Sequence, residues 1–156
     1  MDIEQLVKFL IEKGLTIATA ESCTGGGIAS ALTDIAGSSA CFGYGIVCYS
    51  NEAKEKLLAV PQSILSRYGA VSQETALAMA NGLAGISGAD INLAVTGIAG
   101  PTGGCAKKPV GLVYIAIETI DFNEVQRYDF KGDRAAIRRQ TVEAALLMAE
   151  AVFVRK

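Results

Sequence analysis

Hydrophobic residues in the first part of the chain alternate between a helical and a strand pattern. Apolar side chains recur at helical spacing from Leu6 and stop at Gly14, which is typical of a helix C-terminus. The segment 15–20 predicts a short buried strand, and a glycine-rich turn at 21–27 leads into a second helical stripe that stops at Gly37. A strand, a glycine-rich turn and a helix in this order are typical of an α/β unit.

The rest of the chain continues this alternation and ends on a long helix. The predicted elements are a strand at Phe42–Tyr49, helices at Asn51–Leu58, from Pro61 to near Gly69 and from Ser72 to about Leu83, a strand at Ile91–Thr96, a loop at Gly97–Pro109, strands at Gly111–Thr119 and Glu124–Phe130, and a helix capped by Gly132-Asp133. The last helix carries one apolar face, formed by Ile137, Ala144, Ala145, Met148 and Val152. We therefore expect one domain, residues 1–156, of the α/β class: a three-layer α/β/α sandwich with a mixed sheet.

Composition excludes several classes of function. The 156 residues include 14 Lys and Arg against 16 Asp and Glu, and no histidine. The formal net charge of −2 gives no basic surplus for a nucleic-acid backbone, so we expect no nucleic-acid partner. Without histidine, one chain cannot build a Ser-His-Asp or Cys-His site or use imidazole metal ligands. We expect neither a metal nor a cofactor, and lysine is the main candidate for a hydrolytic base.

The cysteines and the N-terminus indicate a cytoplasmic protein. The four cysteines form no C-x-x-C pair; they are Cys23, Cys41, Cys48 and Cys105. Residues 1–5 are acidic where a secretion signal needs positive charge, and no stretch is apolar and long enough to span a membrane. We expect reduced cysteines, mostly buried, and no membrane partner.

The turn that follows the first strand, Glu21–Gly27, is one candidate binding site. Its N–H groups lie at a helix N-terminus, and with the hydroxyls of Ser22 and Thr24 and the backbone at Gly25 they suit a phosphate. The turn matches neither the dinucleotide-binding nor the P-loop pattern. A capped helix with glycines for close packing explains the spacing equally well, so both interpretations stay open here.

A second candidate site lies around a lysine. Tyr49 ends a predicted strand, Lys54 falls in the first turn of the next helix, and the strand returns both groups toward the turn after the first strand. The positive end of the helix dipole lowers the pKa of such a lysine, which a neutral general base needs. By residue type alone, a lysine exposed to solvent and a tyrosine packed at a sheet edge are more common than a catalytic pair.

The turn Gly37-Ser38-Ser39 also has two interpretations. A serine beside glycine is more often a turn residue than a catalytic one.

Two further segments can be interpreted either as parts of a binding site or as ordinary structural features. The loop that begins at Thr96-Gly97 is long and glycine-rich, and such loops either cover a bound ligand or simply connect strands. On the last helix, the spacing of Arg139 and Glu143 favours a solvated i,i+4 pair. Gln140 projects among apolar positions and therefore needs a hydrogen-bond partner.

An ordered set of motifs covers nearly the whole chain. They are Ala20–Gly26, Asp34–Ser39, Val47–Lys54, Gly69–Ser72, Thr96–Pro101, Lys108–Gly111, Gly132–Arg134 and Arg138–Gln140. Together they resemble the CinA C-terminal domain family, which includes stand-alone PncC-type nicotinamide mononucleotide (NMN) deamidases. Larger members of this family carry an additional N-terminal nucleotide pyrophosphatase-like domain, which we do not expect in this sequence.

The resemblance implies an enzyme that hydrolyses the carboxamide of NMN to nicotinate mononucleotide and ammonia, in pyridine-nucleotide (NAD) recycling. The residues that it implies are Ser39, Tyr49 and Lys54 for catalysis and Thr96, Arg139 and Gln140 for substrate binding. In the implied mechanism neutral Lys54 accepts the proton of Ser39 as this serine attacks the amide carbon, and Tyr49 orients or relays between them. This replaces the solvated interpretation of Arg139.

The resemblance also implies a homodimer or homotrimer. Two alternative functions remain beside the deamidase. One is a non-catalytic nucleotide-binding module that serves a competence or DNA-damage response, and the other is an amidase of the same mechanism that acts on another small carboxamide. The presence of Ser39, Tyr49 and Lys54 together favours an enzyme over a binding module.

Overall fold

The computed structural model describes residues 3–154, and side chains through residue 152. Its helices and strands follow the predicted order. They are α1 (Ile3–Lys13), β1 (Ile17–Glu21), α2 (Gly27–Thr33), β2 (Phe42–Val47), α3 (Asn51–Leu58), α4 (Gln62–Tyr68), α5 (Gln73–Ser87), β3 (Ile91–Gly97), β4 (Leu112–Glu118), β5 (Asn123–Asp129) and α6 (Arg134–Val154). A 3-10 turn at Ser38–Ala40, which was not predicted, precedes β2.

The strands form one mixed five-stranded sheet in the order β2-β1-β3-β4-β5. β1 pairs in parallel with β2 and β3, so Glu21 lies opposite Val47 on one side and Val95 on the other. β4 is antiparallel to both β3 and β5. The carboxyl ends of β1, β2, β3 and β5 consequently share one edge of the sheet. We call this the C-terminal edge; it consists of residues 22–26, 48–50 and 98–111 and the start of α6.

Helices cover both faces of the sheet, which confirms the predicted single α/β/α domain. α1, α2 and α6 pack on the face that carries Ile17 and Leu93, and α3, α4 and α5 pack on the face that carries Ala18 and Ala94. Alternate strand residues face opposite layers. Among the described helices, none combines the length and the apolar character that a membrane crossing requires.

α5 extends further than the sequence predicts. The pattern places its end near Leu83, whereas the helix continues to Ser87. Within this helix Gly82 lies against α3, because a Cβ atom added there would fall 1.8 Å from the carbonyl oxygen of Leu58. Gly82 therefore permits the close approach of two helices rather than ending one of them.

Candidate active site

Lys54 is the buried centre of the candidate site. Its side chain reaches from the first turn of α3 to the C-terminal edge and is only 1% exposed. The Nζ atom lies 3.1 Å from Oγ of Ser22, 3.0 Å from the carbonyl oxygen of Cys48 and 3.3 Å from the carbonyl oxygen of Tyr49. The expected return of the strand after residue 42 to the turn after β1 is thus confirmed.

The surroundings of Lys54 favour a neutral amine. Burial lowers the pKa of Lys54 below its ordinary value, because the charged form loses its hydration. Ion pairs in the described part of the chain involve other cations, so no carboxylate lies within 4.0 Å of this amine to offset that loss. A neutral amine has two N–H donors and one lone pair. In the structure the Nζ atom donates to all three oxygens. In the neutral form the two N–H groups serve the carbonyl oxygens, which leaves the lone pair to accept the Ser22 hydroxyl proton.

Ser22 and Thr96 lie side by side where β1 and β3 end. The Ser22 N–H donates to the carbonyl oxygen of Val95 at 3.1 Å, and the Ser22 side chain remains 8% exposed. The Thr96 hydroxyl donates to the carbonyl oxygen of Ala70 at 2.7 Å. Thr96 therefore anchors the segment before α5, and Ser22 is the hydroxyl that contacts the Lys54 amine.

The carboxylate of Glu21 occupies the N-terminus of α2. It accepts hydrogen bonds from the N–H groups of Ile28 at 2.8 Å and Ala29 at 2.9 Å, and from the hydroxyl of Thr24 at 2.6 Å. Gly25, with φ of 59°, turns the chain between them. Of the two interpretations of this turn, the structure supports the capped helix, because an internal anion already holds the donors that a phosphate would use.

Tyr49 contacts Lys54 through its backbone and not through its hydroxyl. The ring is 61% exposed, and its hydroxyl accepts a hydrogen bond from the guanidinium of Arg134 at 3.1 Å. Arg134 also donates to the carbonyl oxygen of Gly100 at 2.8 Å. This arginine of α6 thereby joins the end of β2 to the loop 98–111, and a relay through the Tyr49 hydroxyl is not formed in this arrangement.

The loop 98–111 is tethered to α6 and to the end of α4. Besides the bond from Arg134, the Lys108 amine donates to the carbonyl oxygen of Tyr68 at 2.6 Å. At the base of the loop, the N–H of Gly111 donates to the carbonyl oxygen of Ile98 at 2.8 Å. The predicted irregular segment is confirmed, and its role in covering a ligand stays a prediction.

Ser39 lies at the other end of β2. It is exposed in the turn that precedes the strand, whereas Tyr49 and Lys54 follow the strand. The 6 residues of β2 separate the two ends by roughly 20 Å, at about 3.3 Å per residue. The pairing of Ser39 with Lys54 that the resemblance implies is therefore not formed within one chain, because β2 runs extended and parallel to β1.

On α6, Arg138 faces the C-terminal edge and Arg139 does not. Arg138 donates to the carbonyl oxygens of Cys23 at 3.1 Å and Thr24 at 3.0 Å. Arg139, turned by about 100° around the helix, lines a groove of about 620 Å³ between α1, α2 and α6. Sequence reasoning missed Arg134 and Arg138, although their i,i+4 spacing places them on one helix face.

Gln140 has the hydrogen-bond partners that its position requires. Its Nε2 atom donates to the carbonyl oxygens of Lys131 at 2.7 Å and Ala136 at 3.0 Å. These bonds tie the first turns of α6 to the segment that leads into the helix. A contact between Gln140 and a substrate stays a prediction.

The thiol of Cys23 does not compete with Ser22 as a nucleophile. Burial raises the pKa of Cys23 to about 11, so the thiol is protonated at neutral pH, whereas the reactive form is the thiolate. Burial raises the pKa of Cys48 as well. All four cysteines are free, in agreement with the prediction of reduced thiols.

Known proteins of similar sequence match most of the chain. The family profile of the CinA C-terminal domain matches residues 2–153. A CinA-like protein of Geobacter sulfurreducens is 56% identical over 135 residues, which are 86% of this chain and 33% of that protein. A CinA-like protein of Kosmotoga olearia is 51% identical over 145 residues, or 92% of this chain and 35% of that protein. The chain thus spans about a third of the length of these curated relatives.

Solved structures share the same fold. The crystal structure of the competence/damage inducible protein CihA from Agrobacterium tumefaciens is 47% identical, with a TM-score of 0.91 over 97% of this chain and 95% of that chain. A CinA superfamily protein from Klebsiella pneumoniae is 35% identical, with a TM-score of 0.93 over 100% of both chains. The mixed sheet and its six flanking helices are therefore shared with these proteins.

Proposed function

Because the chain belongs to the CinA C-terminal domain family, we propose that it is an amidohydrolase that converts NMN to nicotinate mononucleotide and ammonia. The observation that carries this proposal is the buried Lys54 amine, 3.1 Å from the Ser22 hydroxyl and without a carboxylate partner among the described residues. A serine activated by a neutral lysine is a known solution for amide hydrolysis without histidine. The choice of NMN follows from the motifs that resemble this family.

In the proposed first step, the Ser22 oxygen attacks the carboxamide carbon and Lys54 accepts the hydroxyl proton. An oxygen–carbon bond forms and gives a tetrahedral intermediate. When the intermediate collapses, the carbon–nitrogen bond breaks, and the Lys54 ammonium returns the proton to the nitrogen that leaves as ammonia. The product of this half reaction is a nicotinoyl ester on Ser22.

In the second step, water attacks the ester carbon and gives a proton to Lys54. The bond between the carbon and the Ser22 oxygen breaks, and Ser22 recovers the proton. The sum of both steps consumes one water and yields a carboxylic acid and ammonia, and the acid ionises to the carboxylate by releasing one proton. The positively charged pyridinium ring of NMN supports this scheme, because it disfavours the protonated form of Lys54 and withdraws electrons from the carboxamide.

Ser22 takes the role that the resemblance assigns to Ser39, since Ser22 is the serine that contacts Lys54 within the chain. Tyr49 contributes its carbonyl oxygen to the Lys54 amine and its hydroxyl to Arg134. Ser39 can reach a Lys54 amine only from a second copy of the chain. Its contribution to catalysis is therefore tied to the oligomeric state.

We also propose a homodimer or homotrimer that acts in cytoplasmic recycling of pyridine nucleotides. β2 is an edge strand, and the side chains of Tyr44 and Val47 on it are each 46% exposed. The segment 35–51 around it carries no charged residue, so a second copy can cover this edge without repulsion between like charges. Size-exclusion chromatography with light scattering tests this, and a monomer at working concentration contradicts it.

The experiment that tests the function measures ammonia release from NMN, nicotinamide riboside and nicotinamide by the purified protein. We expect release from NMN, and loss of this release in Lys54→Met with the fold retained. Lys56→Met removes an exposed lysine from the same helix and serves as the matched control. NMN binding without ammonia release would favour the nucleotide-binding module, and release from another carboxamide alone would favour the other amidase.

A further inference from the structure

Arg134 and Arg138 lie on adjacent turns of α6 and both reach the C-terminal edge. Arg134 donates to the Tyr49 hydroxyl at 3.1 Å and to the carbonyl oxygen of Gly100 at 2.8 Å. Arg138 donates to the carbonyl oxygens of Cys23 and Thr24 in the turn after Ser22. The two guanidinium groups therefore lie at the C-terminal edge, one against the 98–111 loop and one against the turn that follows Ser22.

Within the described part of the chain, the hydrogen-bond partners of both arginines are neutral oxygens. The ion pairs within 4.0 Å among the described residues are Lys8–Glu4, Lys56–Glu52 and Arg127–Asp129, so neither Arg134 nor Arg138 has a carboxylate partner. Carbonyl oxygens orient a guanidinium without neutralising its charge, and each group has five N–H donors, of which two are used here. Among the described residues, two oriented guanidinium groups without an ion-pair partner thus lie at the C-terminal edge.

We propose that Arg134 and Arg138 form the subsite for an anionic phosphomonoester group of the substrate. Guanidinium groups bind phosphate oxygens through paired, charge-assisted hydrogen bonds, and neighbours at i,i+4 can hold the same group. This inference rests on the proposed function for the identity of the substrate, a mononucleotide with its phosphate at one end and its carboxamide at the other. A phosphate held in this subsite then sets the position of the carboxamide relative to the Ser22 oxygen.

The turn after β1 does not supply this subsite by its helix end. The N–H groups of Ile28 and Ala29 are held by the Glu21 carboxylate, which adds a negative charge where a phosphate would otherwise bind. A phosphate is therefore directed away from the α2 N-terminus and toward the guanidinium groups. Arg139, in the groove between α1, α2 and α6, is not part of this subsite.

The test compares NMN with nicotinamide riboside, which carries the same carboxamide without the phosphate. We expect Arg134→Ala and Arg138→Ala each to lower kcat/KM for NMN by roughly ten- to a hundredfold more than they lower kcat/KM for the riboside. Arg127→Ala removes an exposed arginine of β5 and is the matched control for loss of charge. Because Arg138 also supports the turn, Arg138→Lys, which keeps the charge, is expected to lose less than Arg138→Ala.

A second measurement keeps this inference separate from the amidase activity. Ribose 5-phosphate binding is followed by calorimetry in the wild type and the same variants, so the readout requires no turnover. Weaker binding in Arg134→Ala and Arg138→Ala supports the subsite. It does so even if the wild type releases no ammonia, a result that would reject the amidase activity but not the subsite. Equal binding in variants and wild type, or an equal loss of kcat/KM for NMN and the riboside, overturns the subsite.

Discussion

The Lys54 amine and the Ser22 hydroxyl meet at 3.1 Å although 32 residues separate them in the chain. β1 brings Ser22 to the C-terminal edge, and the parallel strand β2 returns the chain so that α3 starts beside it. The amine loses its water in this position and acquires no carboxylate among the described residues. This position thus lowers the pKa of Lys54 and places its amine against a hydroxyl group.

The pH dependence of activity follows from the lowered pKa of Lys54. The active form is the neutral amine, so kcat/KM rises with pH as Lys54 loses its proton. Because burial lowers the pKa, this rise is centred below the ordinary lysine value of about 10.4. A pH–rate profile for ammonia release measures it. A rise centred at the ordinary value, or a rate that falls as pH increases, would contradict a neutral Lys54 base.

Glu21 stabilises the fold through its cap on α2 rather than through substrate. Replacing it by alanine leaves the N–H groups of Ile28 and Ala29 without their acceptor in a buried site. We expect Glu21→Ala to lower the free energy of unfolding by about 2–4 kcal/mol, as measured by urea denaturation.

The control for this prediction is Glu52→Ala. Glu52 is 72% exposed in a surface pair, so its loss is expected to change the free energy of unfolding by less than about 0.5 kcal/mol. Equal effects of the two substitutions would show that the Glu21 carboxylate does not hold the start of α2.

Substitution by alanine is expected to have opposite effects on stability at two glycines of α5. A Cβ atom at Gly82 meets the Leu58 carbonyl oxygen at 1.8 Å, whereas one at Gly85 meets no atom within 4 Å. Gly82→Ala is expected to destabilise the protein by more than about 2 kcal/mol because α3 must move. Gly85→Ala is expected to stabilise it by roughly 0.5–1 kcal/mol, since alanine restricts the unfolded chain. Thermal unfolding of both variants decides this, and equal shifts in Tm would contradict the predicted packing.

Local patterns were sufficient to predict the order of helices and strands and the mixed α/β/α fold. They placed the end of α5 near Leu83, whereas the helix continues to Ser87. They also identified Lys54 as a candidate base, since its residue type and its place at a helix start are local properties.

The partners of Lys54 could not be predicted in the same way. Ser22 follows one predicted strand and Ser39 precedes another, but which of them reaches the amine depends on the parallel pairing of β1 with β2. The choice between Arg138 and Arg139 depends on about 100° of rotation around α6. Such differences are fixed by the packing of distant segments and leave no trace in spacing alone.

The most direct test of the account is ammonia release from NMN by Ser22→Ala and Ser39→Ala, measured side by side at equal concentration of folded protein. The account predicts that Ser22→Ala loses at least roughly a thousandfold in kcat, as expected for removal of a nucleophile, while Ser39→Ala keeps activity within about tenfold of the wild type. A Ser22→Ala variant with near wild-type kcat, together with an inactive Ser39→Ala, would contradict the pairing of Ser22 with Lys54.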